Sequence, residues 1–142
     1  MEAVRDPRLK LVLVDDHDGA RKALVRRLDG HEHLVVAGDS SEPGETLELV
    51  QTSVPHIALV DPVRSDGLGN EIVFSLTNLP EFQRPLVFVH LAFFDTALWE
   101  LARAAGADGV VLKRIDVDAL AVQLMAGTRD LLPRERWPAV MG

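Results

Sequence analysis

The chain has 142 residues, 47% hydrophobic and 26% charged, which is enough for one domain with a real core and too few for two. Its 15 Lys and Arg against 22 Asp and Glu leave a formal charge of −7, and nothing in the pattern forms the basic stripe that nucleic-acid binding needs. With no cysteine, disulfides, thiolate metal sites and thiol nucleophiles are excluded; no apolar run approaches the ~18 residues of a membrane span, and no signal-peptide core follows the charged N-terminus, so the cytoplasm is the expected compartment.

In chain order, residues 1–8 form a polar leader. A first strand is expected from Leu9 to Val14, stopping on Asp15 and Asp16, and a first helix from Asp18 to Leu28 with Ala20, Leu24 and Leu28 on one face and Gly30 at its end. Leu34 to Ala37 reads as the second strand, and a turn through Ser40 to Gly44 leads to a second helix from Glu45 to Thr52. Ile57 to Val60, continuous aliphatics between Pro55 and Pro62, reads as a strand buried on both faces that ends in Asp61. A third helix is expected over Asn70 to Leu79, a fourth strand over Leu86 to Leu91, a fourth helix from an Asp95 cap to Ala105 with Gly106 after it, a fifth strand over Gly109 to Lys113 and a fifth helix over Val117 to Ala126. The tail, residues 127–142, reads as irregular, giving a domain over residues 9–126 with a leader and a C-terminal linker.

Five alternations of strand and helix require a parallel sheet with helices on both faces and right-handed crossovers. The economical solution is a single α/β, doubly wound, flavodoxin-like sheet of five strands, with its ligand crevice at the strands' C-terminal ends. Asp15, Asp16 and Asp61 would then share one edge, where like charges are costly unless a hard cation sits among them.

Asp15-Asp16, Asp61 and Lys113 each stand at a strand end. With Gly69 eight residues after Asp61 and the phrase Ala105-Gly-Ala-Asp-Gly-Val-Val-Leu-Lys113, they make the chain from Leu9 to Ala126 resemble a receiver domain of two-component response regulators. The Asp-Asp-His opening and the Ala-Gly-Ala-Asp-Gly phrase most resemble the subfamily that usually carries a LuxR-type helix-turn-helix output. The resemblance implies a signalling phosphoacceptor rather than an enzyme with a separate substrate. Asp61 would take a phosphoryl group from a histidine kinase or a small phosphodonor, and Lys113 would stabilise the charge. Asp16 and Asp61 would bind Mg²⁺ directly, Asp15 through a water, and the Val63 carbonyl would complete the protein's share. It also implies a homodimer through the helix four, strand five, helix five face, with Trp99 near it, transcription control through an output absent from this chain, and no direct contact of this chain with nucleic acid.

Three departures mark the switch as degenerate. The position thirty residues past Asp61, where the family has Thr or Ser, is Leu91; the aromatic position of strand five is Val110; and Arg64-Ser65 replaces the usual Met-Pro. A hydrogen bond to a charged group is worth ~1.5–3 kcal/mol, so its loss weakens coupling by roughly ten- to a hundredfold. These departures support an alternative, a pseudo-receiver that dimerises or binds a ligand without phosphorylation. A haloacid-dehalogenase-type phosphatase is disfavoured, because its general acid, two residues past the nucleophile, would fall on Val63. Among the remaining candidates, His17 is read as opening helix one rather than ligating, His90 as a packed, hydrogen-bonded core residue, and His31 and His33 as solvated. Thr96 and Ser65 have no His–Asp partners for nucleophilic catalysis. Val63 and Phe93 stand where the family admits the hydrolytic water and, being apolar, cannot orient it.

Overall fold

The computed structural model describes residues 5–113 and 115–142. Five parallel strands, β1 (Leu9–Val14), β2 (Leu34–Ser40), β3 (Ile57–Val60), β4 (Leu86–Leu91) and β5 (Gly109–Leu112), form one sheet in the order β2-β1-β3-β4-β5. They alternate with α1 (Asp18–Leu28), α2 (Pro43–Ser53), α3 (Gly69–Thr77), α4 (Thr96–Ala104) and α5 (Val117–Leu131). The doubly wound α/β arrangement expected from the alternation of elements is the observed one.

The pleat sorts side chains by size. Leu9, Leu11, Leu13, Ile57, Leu59, Leu86 and Phe88 point to the face covered by α1 and α5. Val12, Val14, Ala58, Val60, Val87 and Val89 point to the face covered by α2, α3 and α4. Alternation of Cβ direction along each strand produces the two sets. All four residues of β3 are buried, as expected for a central strand of a parallel sheet.

Several boundaries differ from those the sequence suggests. β2 runs to Ser40 through Gly38 and Asp39, because a one-residue bulge at Ala37 resets its register, pairing Leu11 with Val36 but Val12 with Gly38. α2 starts at Pro43, whose fixed φ suits a first helical position, and α3 spans Gly69–Thr77 rather than Asn70 to Leu79. At Gly69 a Cβ would lie 2.0 Å from the Pro62 carbonyl oxygen, so only glycine lets the β3–α3 loop close this tightly. The largest correction is at the C-terminus. α5 continues past Ala126 to Leu131, and the tail then folds into two 3₁₀ turns, Arg134–Arg136 and Ala139–Met141. It is docked rather than irregular: Trp137 and Met141 pack against the α1/α5 core, the Trp137 Nε1–H donates to the Leu132 carbonyl at 2.9 Å, and the Val140 N–H donates to the Pro7 carbonyl at 2.8 Å. Those side chains cover apolar surface that the strands' N-terminal ends would otherwise expose.

Among the described residues, no helix is long and apolar enough to cross a membrane.

Candidate functional site

The strand order reverses between β1 and β3, which makes their C-terminal ends the switch point of the sheet. The Asp15 N–H continues the ladder to the Ser40 carbonyl at 3.1 Å, and the Asp61 N–H to the Val14 carbonyl at 2.8 Å. Both carboxylates are therefore fixed directly at the rim, and both residues are buried, Asp15 7% and Asp61 4% exposed. Lys113 reaches across from the end of β5, its own N–H bonded to the Leu91 carbonyl at 2.7 Å. Its ammonium donates to Asp61 Oδ2 at 2.5 Å and to Asp15 Oδ2 at 3.0 Å. The other Asp61 oxygen, Oδ1, accepts the Val63 N–H at 2.8 Å.

The electrostatics follow from this packing. Burial opposes the Asp15 charge, but hydrogen bonds from the His17 N–H, Lys113 and the His17 ring outweigh it and hold its pKa below the usual carboxylate value. Burial likewise opposes the Lys113 ammonium, yet its bonds to Asp61 and Asp15 leave its pKa above the ordinary lysine value. Asp15 and Lys113 thus form a charged pair at neutral pH.

Asp16 sits slightly apart. Its Oδ2 accepts the Ser65 N–H at 3.0 Å and the Ser65 hydroxyl at 3.1 Å, and the Ser65 backbone bond, first among several, lowers its pKa. Sequence reasoning gave Ser65 no role; the residue that replaces the family's proline orients the neighbouring acid. Arg64 turns away from the rim and is buried. Its guanidinium donates to the Ser41 carbonyl at 2.5 Å and to both oxygens of Asp66, joining the β3–α3 loop to the segment before α2.

His17 is the residue whose place the sequence reading assigned least well. It occupies the N-cap of α1, but its side chain makes no capping bond. Instead the ring turns back to the acids, with Nδ1 at 2.7 Å from Asp15 Oδ1, 3.4 Å from Asp16 Oδ1 and 3.5 Å from Asp61 Oδ2. Asp15, His17 and Asp61 each offer one ligand atom, all within 4.8 Å of one another. Arg21, one helical turn on, was also missed. Buried beneath α1, it donates to the Asp15 carbonyl at 2.6 Å, to Asp18 at 2.7 Å and to Asp39 at 2.7 Å, pinning the loop that carries the acid pair.

The other side of the rim is apolar. Leu91 is buried and lines a cleft with His17, Asp61, Val63, Phe93, Leu98 and Lys113, while Phe93 stands 69% exposed at its edge. Val110 lies behind the rim, packed against the core between the sheet and α2, α3 and α4. Trp99 is half-buried against that same core. His90 faces the opposite side of the sheet, into a 210 Å³ cavity beneath α1, and desolvation, then Lys113, lowers its pKa to about 4. Contrary to the hydrogen-bonded residue expected, its ring has no hydrogen bond to any described residue, because it points into that cavity rather than at a polar group. His31 is not solvated as expected: its ring is tucked in, its Nδ1 accepts the N–H groups of His33 and Leu34, and its Nε2 meets Asp118 at 3.1 Å.

No protein-family model matches the chain. Its sequence is 32% identical over 135 residues to the DNA-binding transcriptional activator DevR/DosR of Mycobacterium tuberculosis, covering 94% of this chain and 61% of that protein. It is 29% identical over 120 residues to the transcriptional regulatory protein LnrK of Bacillus subtilis, covering 82% and 52%. The chain thus spans between about half and three fifths of the length of these curated relatives. Among solved structures, the signal receiver domain of the M. tuberculosis response regulator NarL superposes with a TM-score of 0.72 at 23% identity, over 86% of this chain and 97% of that one. A LuxR-family two-component response regulator from Aurantimonas sp. SI85-9A1 superposes with a TM-score of 0.74 at 20% identity, over 94% and 96%. Fold, rim and sequence relatives point to one class: the chain has the receiver fold, and the proteins it resembles are response regulators of two-component systems. Its homologues within that class are LuxR-family transcriptional regulators.

Proposed function

We propose that Asp61 is the phosphoacceptor of a two-component relay, and that the domain controls an output or partner through that modification. The observation that carries this reading is the Lys113 ammonium bridging the two buried carboxylates, 2.5 Å from Asp61 Oδ2 and 3.0 Å from Asp15 Oδ2. In this reading one Asp61 carboxylate oxygen attacks phosphorus. A P–O bond forms and the bond to the donor breaks, a P–N bond for a kinase phosphohistidine or a P–O bond for acetyl phosphate, the electron pair leaving with the donor. The Val63 N–H holds the other Asp61 oxygen, which orients the nucleophile. Lys113 exchanges one carboxylate contact for a phosphoryl oxygen, offsetting charge where it develops.

The donor set also suits Mg²⁺. Asp16, Asp61 and the Val63 carbonyl would hold it, with Asp15 through a water, and the ion would neutralise charge on the phosphoryl oxygens. Hard carboxylate oxygens gathered at one rim are the chemistry such an ion requires. Intact-mass spectrometry after incubation with Mg²⁺ and acetyl phosphate tests the reading. The wild type should gain one phosphoryl group and Asp61→Asn should gain none; a wild type that stays unmodified would defeat it.

The switch is degenerate in the same reading, because Leu91 offers no hydroxyl and Val110 no aromatic ring to follow it. With Val63 and Phe93 unable to orient a hydrolytic water, the acyl phosphate is long-lived yet shifts the domain little. For partners, a homodimer through α4, β5 and α5 is supported by Leu101 and Leu112, which expose apolar surface there; Trp99, packed inward, is not its anchor. Residues 9–126 as the signalling unit, an output outside this chain and a cytoplasmic site of action complete the proposal.

A further inference from the structure

We propose that His17 supplies an imidazole nitrogen to the divalent-cation site, which makes the site favour first-row transition-metal ions over Mg²⁺ more than its carboxylates alone would. This rests on the reading that a divalent cation binds among Asp15, Asp16 and Asp61. Without an ion the ring hydrogen-bonds Asp15 at 2.7 Å, a contact that leaves its nitrogen aimed into the acid cluster. At the N-cap of α1 a side chain ordinarily accepts a helix N–H, and here none is taken. The ring lies over the acids, its Nδ1 at 2.7, 3.4 and 3.5 Å from one oxygen each of Asp15, Asp16 and Asp61. Two neighbouring ligands of an octahedral ion with bonds of about 2.1 Å lie roughly 3 Å apart. The three observed separations bracket that edge, so modest rotations bring the ring nitrogen and the Asp16 and Asp61 oxygens around one ion, with Asp15 joining through a water and any proton on Nδ1 leaving to solvent.

The ring can make those rotations. The His17 side chain is 56% exposed, and on turning to an ion it exchanges its bond to Asp15 for one to the metal. The chemistry then decides selectivity. Mg²⁺ prefers oxygen donors and gives up water reluctantly, whereas a neutral imidazole suits the ions of the Irving–Williams series. A single nitrogen among carboxylates therefore raises Mn²⁺ affinity while leaving Mg²⁺ affinity nearly unchanged. What is inferred is an added ligand and a changed ion preference, in a chain whose acid cluster would otherwise be all oxygen.

The experiment is pulsed electron paramagnetic resonance of Mn²⁺ bound to the 142-residue chain, with competition titrations of Mn²⁺ against Mg²⁺. Wild type should show nitrogen hyperfine coupling to Mn²⁺, and His17→Ala and His17→Gln should lose it. The ratio of Mn²⁺ to Mg²⁺ affinity should fall about tenfold in His17→Ala, at the low end of what losing a metal-supporting group costs. Coupling absent from wild type, coupling that survives His17→Ala, or an equal fall in both affinities would overturn the proposal. The underlying reading fails separately: if the Asp16 and Asp61 amide signals do not move with either ion, no cation binds there and this inference falls with it. Oxygen-only ligation with those signals moving defeats this inference alone.

Discussion

The rim of the sheet has two halves of opposite character. On the β1–β3 side, Asp15, Asp16, His17 and Asp61 meet the Lys113 ammonium, and the polar atoms are held by Val63, Ser65 and Arg21. On the β4 side, Leu91 and Phe93 offer no hydrogen-bonding side chain, and Val110 is packed away behind them. The same fold thus carries a charged, hydrogen-bonded half next to an apolar one, which the proposed function makes an acceptor and a degenerate switch. Chemistry at the rim and transmission from it are separable, because the first needs charges held at one edge while the second needs a group that changes partner and moves.

The largest effect that would test the contrast comes from removing its central cation. Lys113→Ala leaves two buried carboxylates facing each other, so stability at neutral pH should drop by about 3 kcal/mol, the lower end of what breaking a buried ion pair costs. Added Mg²⁺ should restore part of that loss, and acyl-phosphate formation should become undetectable by mass. Urea denaturation with and without Mg²⁺ measures the first two; a variant as stable as wild type would show that the pair contributes no net stability.

His90, on the apolar strand, gives the next effect. Its pKa is lowered from 6.5 to about 4 by burial, so the unfolded state binds a proton more readily than the folded one. A depressed histidine adds nothing unfavourable above pH 6.5 and costs stability as pH falls toward 4, up to about 3 kcal/mol by linkage. Replacing it by leucine, His90→Leu, should flatten that acid limb of a stability-versus-pH series; His56, lowered to about 4 by burial first and then by Lys10 and Arg136, leaves a residual slope. An unchanged limb would mean that the cavity admits water and solvates the ring.

Restoring the missing polar groups probes the other half directly. Leu91→Thr removes buried apolar surface and should cost about 1–3 kcal/mol, and pairing it with Val110→Tyr gives the rim a donor and an aromatic partner. With beryllofluoride as phosphoryl mimic, amide shifts on α4 should be small in wild type and several-fold larger in the double variant. Equal responses would show that the wild-type switch is competent without these groups.

The smallest effect belongs to Arg64, whose side chain is 2% exposed and whose NH1 is buried without a hydrogen-bond partner among the described residues. An unsatisfied donor offsets much of what its bonds to Asp66 and Ser41 contribute, so Arg64→Met should change thermal stability by less than about 1 kcal/mol. A large loss would instead identify Arg64 as the brace that keeps Ser65 on Asp16.

The sequence alone determined the architecture and half of the site. Continuous aliphatic runs ending in Asp15-Asp16 and Asp61 dictate buried parallel strands, and the sheet's switch point puts carboxylates at one edge. The receiver-like spacing to Lys113 likewise gave its strand end, because strand and crossover lengths leave it little freedom. What only the tertiary structure decided are the contacts made by side chains that can turn more than one way. His17, at a helix start, is free by local rules to cap or to face the acids, and Asp15, three strands' ends and Lys113 together determine that it faces them. Arg21 has one local partner, Asp18, but its other partner Asp39, like Ser65's partner Asp16, becomes a neighbour only when β2 and the β3–α3 loop close on β1. The docked tail is the same case. Trp137 and Met141 are apolar residues in a stretch of Pro, Arg and Glu without helical or strand period, and only the assembled α1/α5 core offers the surface that orders them.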